Sequence, residues 1–455
     1  MSVVGGGAPP PPRARRAFGW AAAIALAAPF ALAALACGRE APPPATAATA
    51  AAVGAPRMVD DDYPGALAKA KASGKLLFVD AWAPWCHSCL SMRAYVLGDP
   101  SLARLDGAYV FASVDTERDD NRAFVERFPN HAWPTLWVID PTTEKPLLAW
   151  AGTTTAEELG LLLEDARHAK DDPQLAGFFR AASAAHGGDA KTAVAEYRAI
   201  LAAASPRLRP RVVEGLTNAL SDAGEHLECL ELARAEAPRL PRGASLATVV
   251  ATGLSCAGEL PAPAGDDLAT LAETRVATDE ALVTDDRSGV YEALVELADK
   301  RKDDARKRRV ASAWAASLEA SAAKATTPAA RAVFDPHRVE AYVALGDPAR
   351  AIPMLEASAR DFPRDYNPPA HLARVHHEMK RDDLAEPAIA RALALVYGPR
   401  ALRIAALGAD IAEARGDRAT AAARLRDALA RTESMPLSRG QKKARAKLAE
   451  RLQKP

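Results

Sequence analysis

The chain has 455 residues, 58 of them basic and 58 acidic, for a formal net charge of zero. That length exceeds what one hydrophobic core covers, so two or three domains are expected. The balanced charge provides no field to hold nucleic acid or an anionic membrane surface.

The first 37 residues read as a targeting segment. Arg13, Arg15 and Arg16 precede an uncharged run from Ala17 to Ala36, and Cys37 follows directly. A basic start, an apolar middle and small residues before a cut describe an export signal. Ala34-Leu35-Ala36-Cys37 resembles a bacterial lipobox, with Cys37 the expected lipid attachment site, and Arg15-Arg16-Ala17-Phe18 faintly resembles a twin-arginine signal. An uncleaved helical anchor is the alternative, since the run approaches the ~20 residues that span a bilayer. Either reading places the protein in the cell envelope, outside the cytosol, where disulfides persist. Residues 38–59 are rich in Pro, Ala and Thr and read as a linker from that anchor.

Residues 60–170 alternate in period. A helix is expected over 63–73, ended by Gly74, and a buried strand over 76–82. A helix from Cys86 to Val96, a strand over 108–114 and a helix over 119–128 follow. Strands at 135–139 and 147–150 and an amphipathic helix over 155–168 complete an α/β layer.

Strand signals stop after 170, and a repeat begins. AHGGDAKTAVAEY (185–197) is echoed by SDAGEHLECLELA (221–233), and SDAGE returns as SCAGE 34 residues later. Farther on, LGDPARAI, RDDLAEPAI and RGDRATAAA recur, with aspartates at 347, 383 and 417. A small or tight residue stands four places past the acidic one: Ala193, Cys229, Ala351, Pro387 and Ala421. Helix–turn–helix units at this period resemble tetratricopeptide repeats. An all-α repeat region is thus expected over 175–435, capped by a charged helix over 436–455. Residues 260–325 break the register and read as a degenerate repeat or a hinge. The basic run KRKDDARKRR (300–309) reads as a solvated helix face rather than a nucleic-acid site, because Asp303 and Asp304 interrupt it. His371, His376 and His377 read as surface histidines, since residues five apart diverge by about 140° around a helix.

The chemistry concentrates at Val79–Cys89, VDAWAPWCHSC. Cys86 opens a helix, where free N–H groups and the helix dipole stabilise a thiolate. Cys89 lies one turn deeper, placed to resolve a mixed disulfide. Half of a zinc site is the alternative, but no second CxxC or spaced Cys/His pair completes it. His87 adds a copper-type donor beside the thiols; its ring, directly after Cys86, is expected to face solvent. No metal or organic cofactor is expected.

Asp80-Ala81-Trp82-Ala83-Pro84-Trp85-Cys86-His87-Ser88-Cys89 looks like the active-site segment of the thioredoxin superfamily, and Trp133-Pro134-Thr135 looks like its cis-proline loop. Met92 and Asp99-Pro100-Ser101 are similar to exported members of that family. The resemblance implies that Cys86 is the nucleophile and Cys89 the resolving thiol. It also implies that Asp80 handles the resolving proton and that Pro134 is cis and faces the sulfurs. Trp85, His87 and Trp133 are then expected to contact substrate. The strand over 109–114 has no lysine, so the buried acid lacks the family's usual partner. Together these features predict a membrane-tethered thiol–disulfide oxidoreductase, more a protein-disulfide reductase than an oxidase. It would act on protein thiols with an unidentified electron donor or acceptor, and its repeats would dock a protein partner. The competing reading is an envelope scaffold whose thioredoxin-like platform is redox-passive. Cys229 and Cys256 either form a structural disulfide or pack as small buried residues.

Overall fold

The computed structural model describes residues 54–453. The expected signal, its lipobox Cys37 and most of the linker lie outside the described residues. Five strands form one sheet: β1 (Met58–Asp60), β2 (Leu76–Trp82), β3 (Tyr109–Asp115), β4 (Thr135–Asp140) and β5 (Lys145–Ala151). Their order is β1-β3-β2-β4-β5. β1 and β2 run parallel to β3, whereas β4 runs antiparallel to both β2 and β5. β1 falls inside the stretch expected to be linker; three residues carry too little pattern to announce a strand, and pairing along the β3 edge makes it one.

Four helices flank the sheet: α1 (Tyr63–Ser73), α2 (His87–Tyr95), α3 (Arg122–Arg127) and α4 (Ala156–His168). Their ends follow local chemistry. The Asp62 carboxylate caps α1 by accepting from the Gly65 N–H at 2.9 Å, and Thr155 with Glu158 forms a capping box on α4. This arrangement is a thioredoxin-like domain.

The two sheet faces differ in what covers them. Tyr63, Leu67, Phe124, Phe128 and Trp137 form a closed core under α1 and α3. On the opposite face, the core of Phe78, Phe111, Leu148 and Trp150 continues without a break into Phe178, Tyr197 and Val212 of the helical region. The ring centroids of Trp150 and Phe178 lie 5.8 Å apart. The helical region is therefore built onto the sheet and does not hang from it by a linker.

That region consists of antiparallel pairs: Pro173–Gly187 with Ala190–Leu201, Arg209–Ala223 with His226–Glu236, and Ala244–Ala257 with Asp266–Leu271. Thr284–Lys300 with Asp304–Lys324, Asp335–Leu345 with Ile352–Asp361, Asn367–Glu378 with Asp382–Leu395, and Ala401–Ala414 with Arg418–Arg431 follow, before a final helix, Arg439–Gln453. The recurring Gly-Asp pair has a physical reason. Gly188 and Gly416 take φ of 77° and 78°, left-handed values that end the incoming helix. The next residues, Asp189 and Asp417, cap the outgoing helix by accepting from Thr192 and Thr420 N–H groups. The small residue four places on, Ala193 or Ala421, is buried where the helices cross.

Several expectations change. In the 381–389 unit, Lys380 takes the left-handed position and Arg381 the cap position. The buried small residue there is Ala385, and Pro387 is exposed. The anchoring aspartate at 383 was two places out of phase. Residues 260–325 include two long helices, Thr284–Lys300 and Asp304–Lys324, and a π-helical turn at Ala272–Val276 lies where the register is lost. The basic run 300–309 is not one helix face: it spans the end of Thr284–Lys300, the turn and the first residues of Asp304–Lys324. Most of its basic side chains are paired, Arg306 with Glu273 at 2.6 Å and Lys307 with Asp299 at 2.5 Å among them. The sulfurs of Cys229 and Cys256 are bonded, with Cα atoms 6.3 Å apart. No helix among the described residues is long and apolar enough to cross a membrane.

Candidate active site

β2 runs into the loop Ala83–Trp85 and delivers Cys86 to the start of α2, where it is the N-cap residue. Its sulfur accepts from the Cys89 N–H at 3.0 Å and is bonded to the Cys89 sulfur, with Cα atoms 5.2 Å apart. Cys86 is 3% exposed and Cys89 0%, so Cys86 is the outer of the two but both are buried. Trp82, Trp85 and Trp133 pack around the pair. The Trp133–Pro134 bond is cis, and the Trp133 indole N–H donates to the Thr116 hydroxyl at 2.8 Å.

Asp80 lies on the central strand with 0% exposure. Neither of its carboxyl oxygens makes a full hydrogen bond. Burial pushes its pKa up to about 6, against the weaker downward pull of the Arg93 guanidinium and the Ser113 hydroxyl. Arg93 comes from α2, stacks on the Trp82 ring at 4.3 Å and donates to Ser113. It supplies the cation that the third strand lacks, from the same helix that Cys86 opens.

The helical array closes over this face. The Asn367 amide donates to the Pro84 carbonyl at 3.0 Å. Trp85 donates its indole N–H to Glu117 at 2.9 Å, and the same carboxyl accepts from the Arg400 backbone N–H at 2.6 Å. The Arg400 guanidinium lies 4.8 Å from the Trp85 ring centroid. Tyr397 donates its hydroxyl to Asp115 at 2.6 Å. His87 keeps part of its exposure but is held by the array: its Nδ1 is 3.0 Å from an Asp285 oxygen, which is also 2.9 Å from Nε2 of His337. Trp85 and His87, expected to contact substrate, are thus held by the chain's own array. His371, expected at the surface, is turned inward among charged groups, where burial, Arg400 and Arg374 push its pKa down to about 4.

Desolvation is the common electrostatic theme. Burial pushes Glu117 up to about 7 and Asp115 to about 6, against the hydrogen bonds they accept. At the next contact, the Thr153 hydroxyl donates to Asp286 at 2.8 Å, and burial pushes Asp286 up to about 7. Glu214 rises to about 8 for the same reason. A cavity of about 790 Å³ lies between the array wall and the loop before Pro134, lined by His131, Ala132, His186, Asn218, Glu292 and Arg439 among others; neither sulfur lines it.

Glu117, Asp285, Asp286, His337, Tyr397 and Arg400 escaped the sequence reading. Each is a polar residue in a segment without a motif, and no periodicity marks residues that meet partners 198 to 283 positions away, as His87 with Asp285 and Glu117 with Arg400 do.

Fold and site define a class: a thioredoxin-like domain carrying a CxxC disulfide, followed by helical repeats that pack against it. Residues 57–141 match the family described as thioredoxin-like. No curated protein matches the chain. Among solved structures, a tetratricopeptide repeat protein from Parabacteroides merdae is 14% identical with a TM-score of 0.33, over 64% of this chain and 99% of its own. A structure of Naa15/Naa10 bound to HypK-THB is also 14% identical, with a TM-score of 0.26, over 61% of this chain and 43% of its own.

Proposed function

We propose that the protein is a thiol–disulfide oxidoreductase acting on protein substrates in the reducing direction, with the helical array controlling access to its sulfurs. The observation that carries this reading is the placement of Cys86 as the N-cap of α2, bonded to Cys89 and packed among Trp82, Trp85 and Trp133. In the reduced form, the helix start favours the Cys86 thiolate. That thiolate attacks a substrate disulfide and expels one substrate thiolate, leaving a mixed disulfide. Cys89 then attacks the Cys86 sulfur, releases the second substrate thiolate and closes the Cys86–Cys89 bond. The proton leaving Cys89 passes to Asp80, whose raised pKa suits a base near neutrality. Two electrons have moved to the substrate, and an external dithiol must return them.

Residues 13–37 support export and a lipid or helical tether to the membrane, with Cys37 the attachment point. A partner protein is assigned to the repeats, on surfaces other than those gripping the thioredoxin-like domain.

The burial of both sulfurs favours one second reading, a redox-passive platform. Insulin reduction by the full chain and by Cys86→Ser separates the two. Turnover that is lost in the variant supports the oxidoreductase; no turnover by either chain, with the disulfide resistant to dithiol reductants, supports the platform. Equilibration with glutathione then sets direction: a potential near −270 mV marks a reductase, and one near −120 mV an oxidant.

A further inference from the structure

We propose that His87, Asp285 and His337 form a binding site for a divalent transition-metal ion of the zinc class, which ties the redox loop to the helical array. Three donors converge from three segments: His87 directly after Cys86, Asp285 at the start of Thr284–Lys300, and His337 in Asp335–Leu345. Their ligand atoms all lie within 4.8 Å of one another. Nδ1 of His87 and Nε2 of His337 face the same Asp285 oxygen at 3.0 and 2.9 Å, and the imidazole centroids are 4.1 Å apart.

Two imidazoles and a carboxylate are the donor set of many three-residue zinc sites that keep one position open. Metal bonds of about 2.0–2.2 Å place donor atoms roughly 3.3 Å apart in a tetrahedral shell. The Asp285 oxygen already lies within a few tenths of an ångström of that spacing from both ring nitrogens, and all three ligand atoms fit within 4.8 Å. Asp285 and His337 are buried, with side chains 7% and 3% exposed, which fixes the two array donors. The His87 side chain keeps 38% exposure, which leaves a path for the ion and room for a water as fourth ligand. No sulfur is needed, so the site is compatible with the closed Cys86–Cys89 bond. The alternative is that Asp285 accepts hydrogen bonds from both rings without an ion. The protons holding that arrangement are those a metal displaces, so binding releases protons and weakens in acid.

The test uses the full chain with both disulfides closed and Cys37→Ser, so that no free thiol competes. Zinc is titrated calorimetrically, and cobalt(II) reports coordination by its visible absorption. The expected result is one ion per chain, a cobalt spectrum without a thiolate band, proton release, and affinity weakened about 10- to 100-fold by Asp285→Asn or His337→Gln. Both substitutions retain side-chain size, and circular dichroism confirms folding. Absence of zinc and cobalt binding to the parent chain at millimolar ion overturns the site and leaves a hydrogen-bonded clasp. Unchanged affinity in both folded variants also overturns it, by placing the ion elsewhere. The measurement involves no thiol exchange, so its outcome is separate from that of the proposed activity.

Discussion

The side-chain amide of Asn367 donates a hydrogen bond to the carbonyl of Pro84, 3.0 Å away and 283 residues earlier in the chain. Pro84 is two residues before Cys86, so the sixth helix pair of the array touches the loop that positions the nucleophile. Asn367→Ala removes that donor and leaves a half-buried carbonyl unpaired, at a cost of about 1–2 kcal/mol. The Cys86–Cys89 disulfide should then be reduced several-fold faster by a bulky protein dithiol, with little change toward a small one. Stopped-flow measurement with both reductants checks this, and equal acceleration for the two would show that the array does not screen by size.

Asp80→Asn separates proton handling from stability. The wild-type chain carries a buried carboxyl whose pKa of about 6 lies above its ordinary 3.8. Above pH 6, ionisation opposes folding, so the neutral amide should stabilise the fold by about 2 kcal/mol at pH 8. Resolution of the mixed disulfide should slow by about 10- to 100-fold and lose its inflection near pH 6. A variant that resolves at the wild-type rate would remove Asp80 from the mechanism.

The interface acids set a pH dependence. Glu214 rises from 4.5 to about 8 through burial, and Asp286 from 3.8 to about 7. Glu158, Asp286 and the Ser245 hydroxyl face Glu214 from neighbouring elements, and Arg211 from its own helix. Between the ordinary and the folded pKa, the folded chain holds more protons at these acids than the unfolded chain does. Their contribution to stability therefore falls as pH rises, up to about pH 8. His371 acts oppositely between pH 4 and 6.5, where it stays neutral in the fold. Glu214→Gln should flatten the loss between pH 6 and 8 in urea denaturation. An unchanged slope in that variant would mean that water reaches this carboxyl.

The Cys229–Cys256 bond closes a segment with a sequence separation of 27. Cross-links of that loop size stabilise by about 3 kcal/mol, chiefly through the unfolded chain. Replacing both cysteines with serine should lower the urea midpoint accordingly while leaving the redox potential of Cys86–Cys89 unchanged. A shifted potential would reveal coupling between the two disulfides.

Much of the local chemistry was legible in the sequence. The continuous apolar run at 76–82, the CxxC at a helix start, Trp133-Pro134 and the Gly-Asp turns each declare themselves within a few residues, because each is a short-range constraint on backbone or side chain. The existence of an α/β domain followed by paired helices was legible for the same reason. The tertiary structure alone decided that the array is folded back over the sulfurs. Trp85 meets Glu117 and Arg400, and His87 meets Asp285 and His337, through contacts spanning up to about 315 positions. Such pairings depend on the cumulative superhelical turn of many helix crossings, each set by small buried residues such as Ala193, Ala385 and Ala421. No local pattern encodes that sum, so the surface the sequence offers to a substrate is, in the folded chain, already in contact with its own repeats.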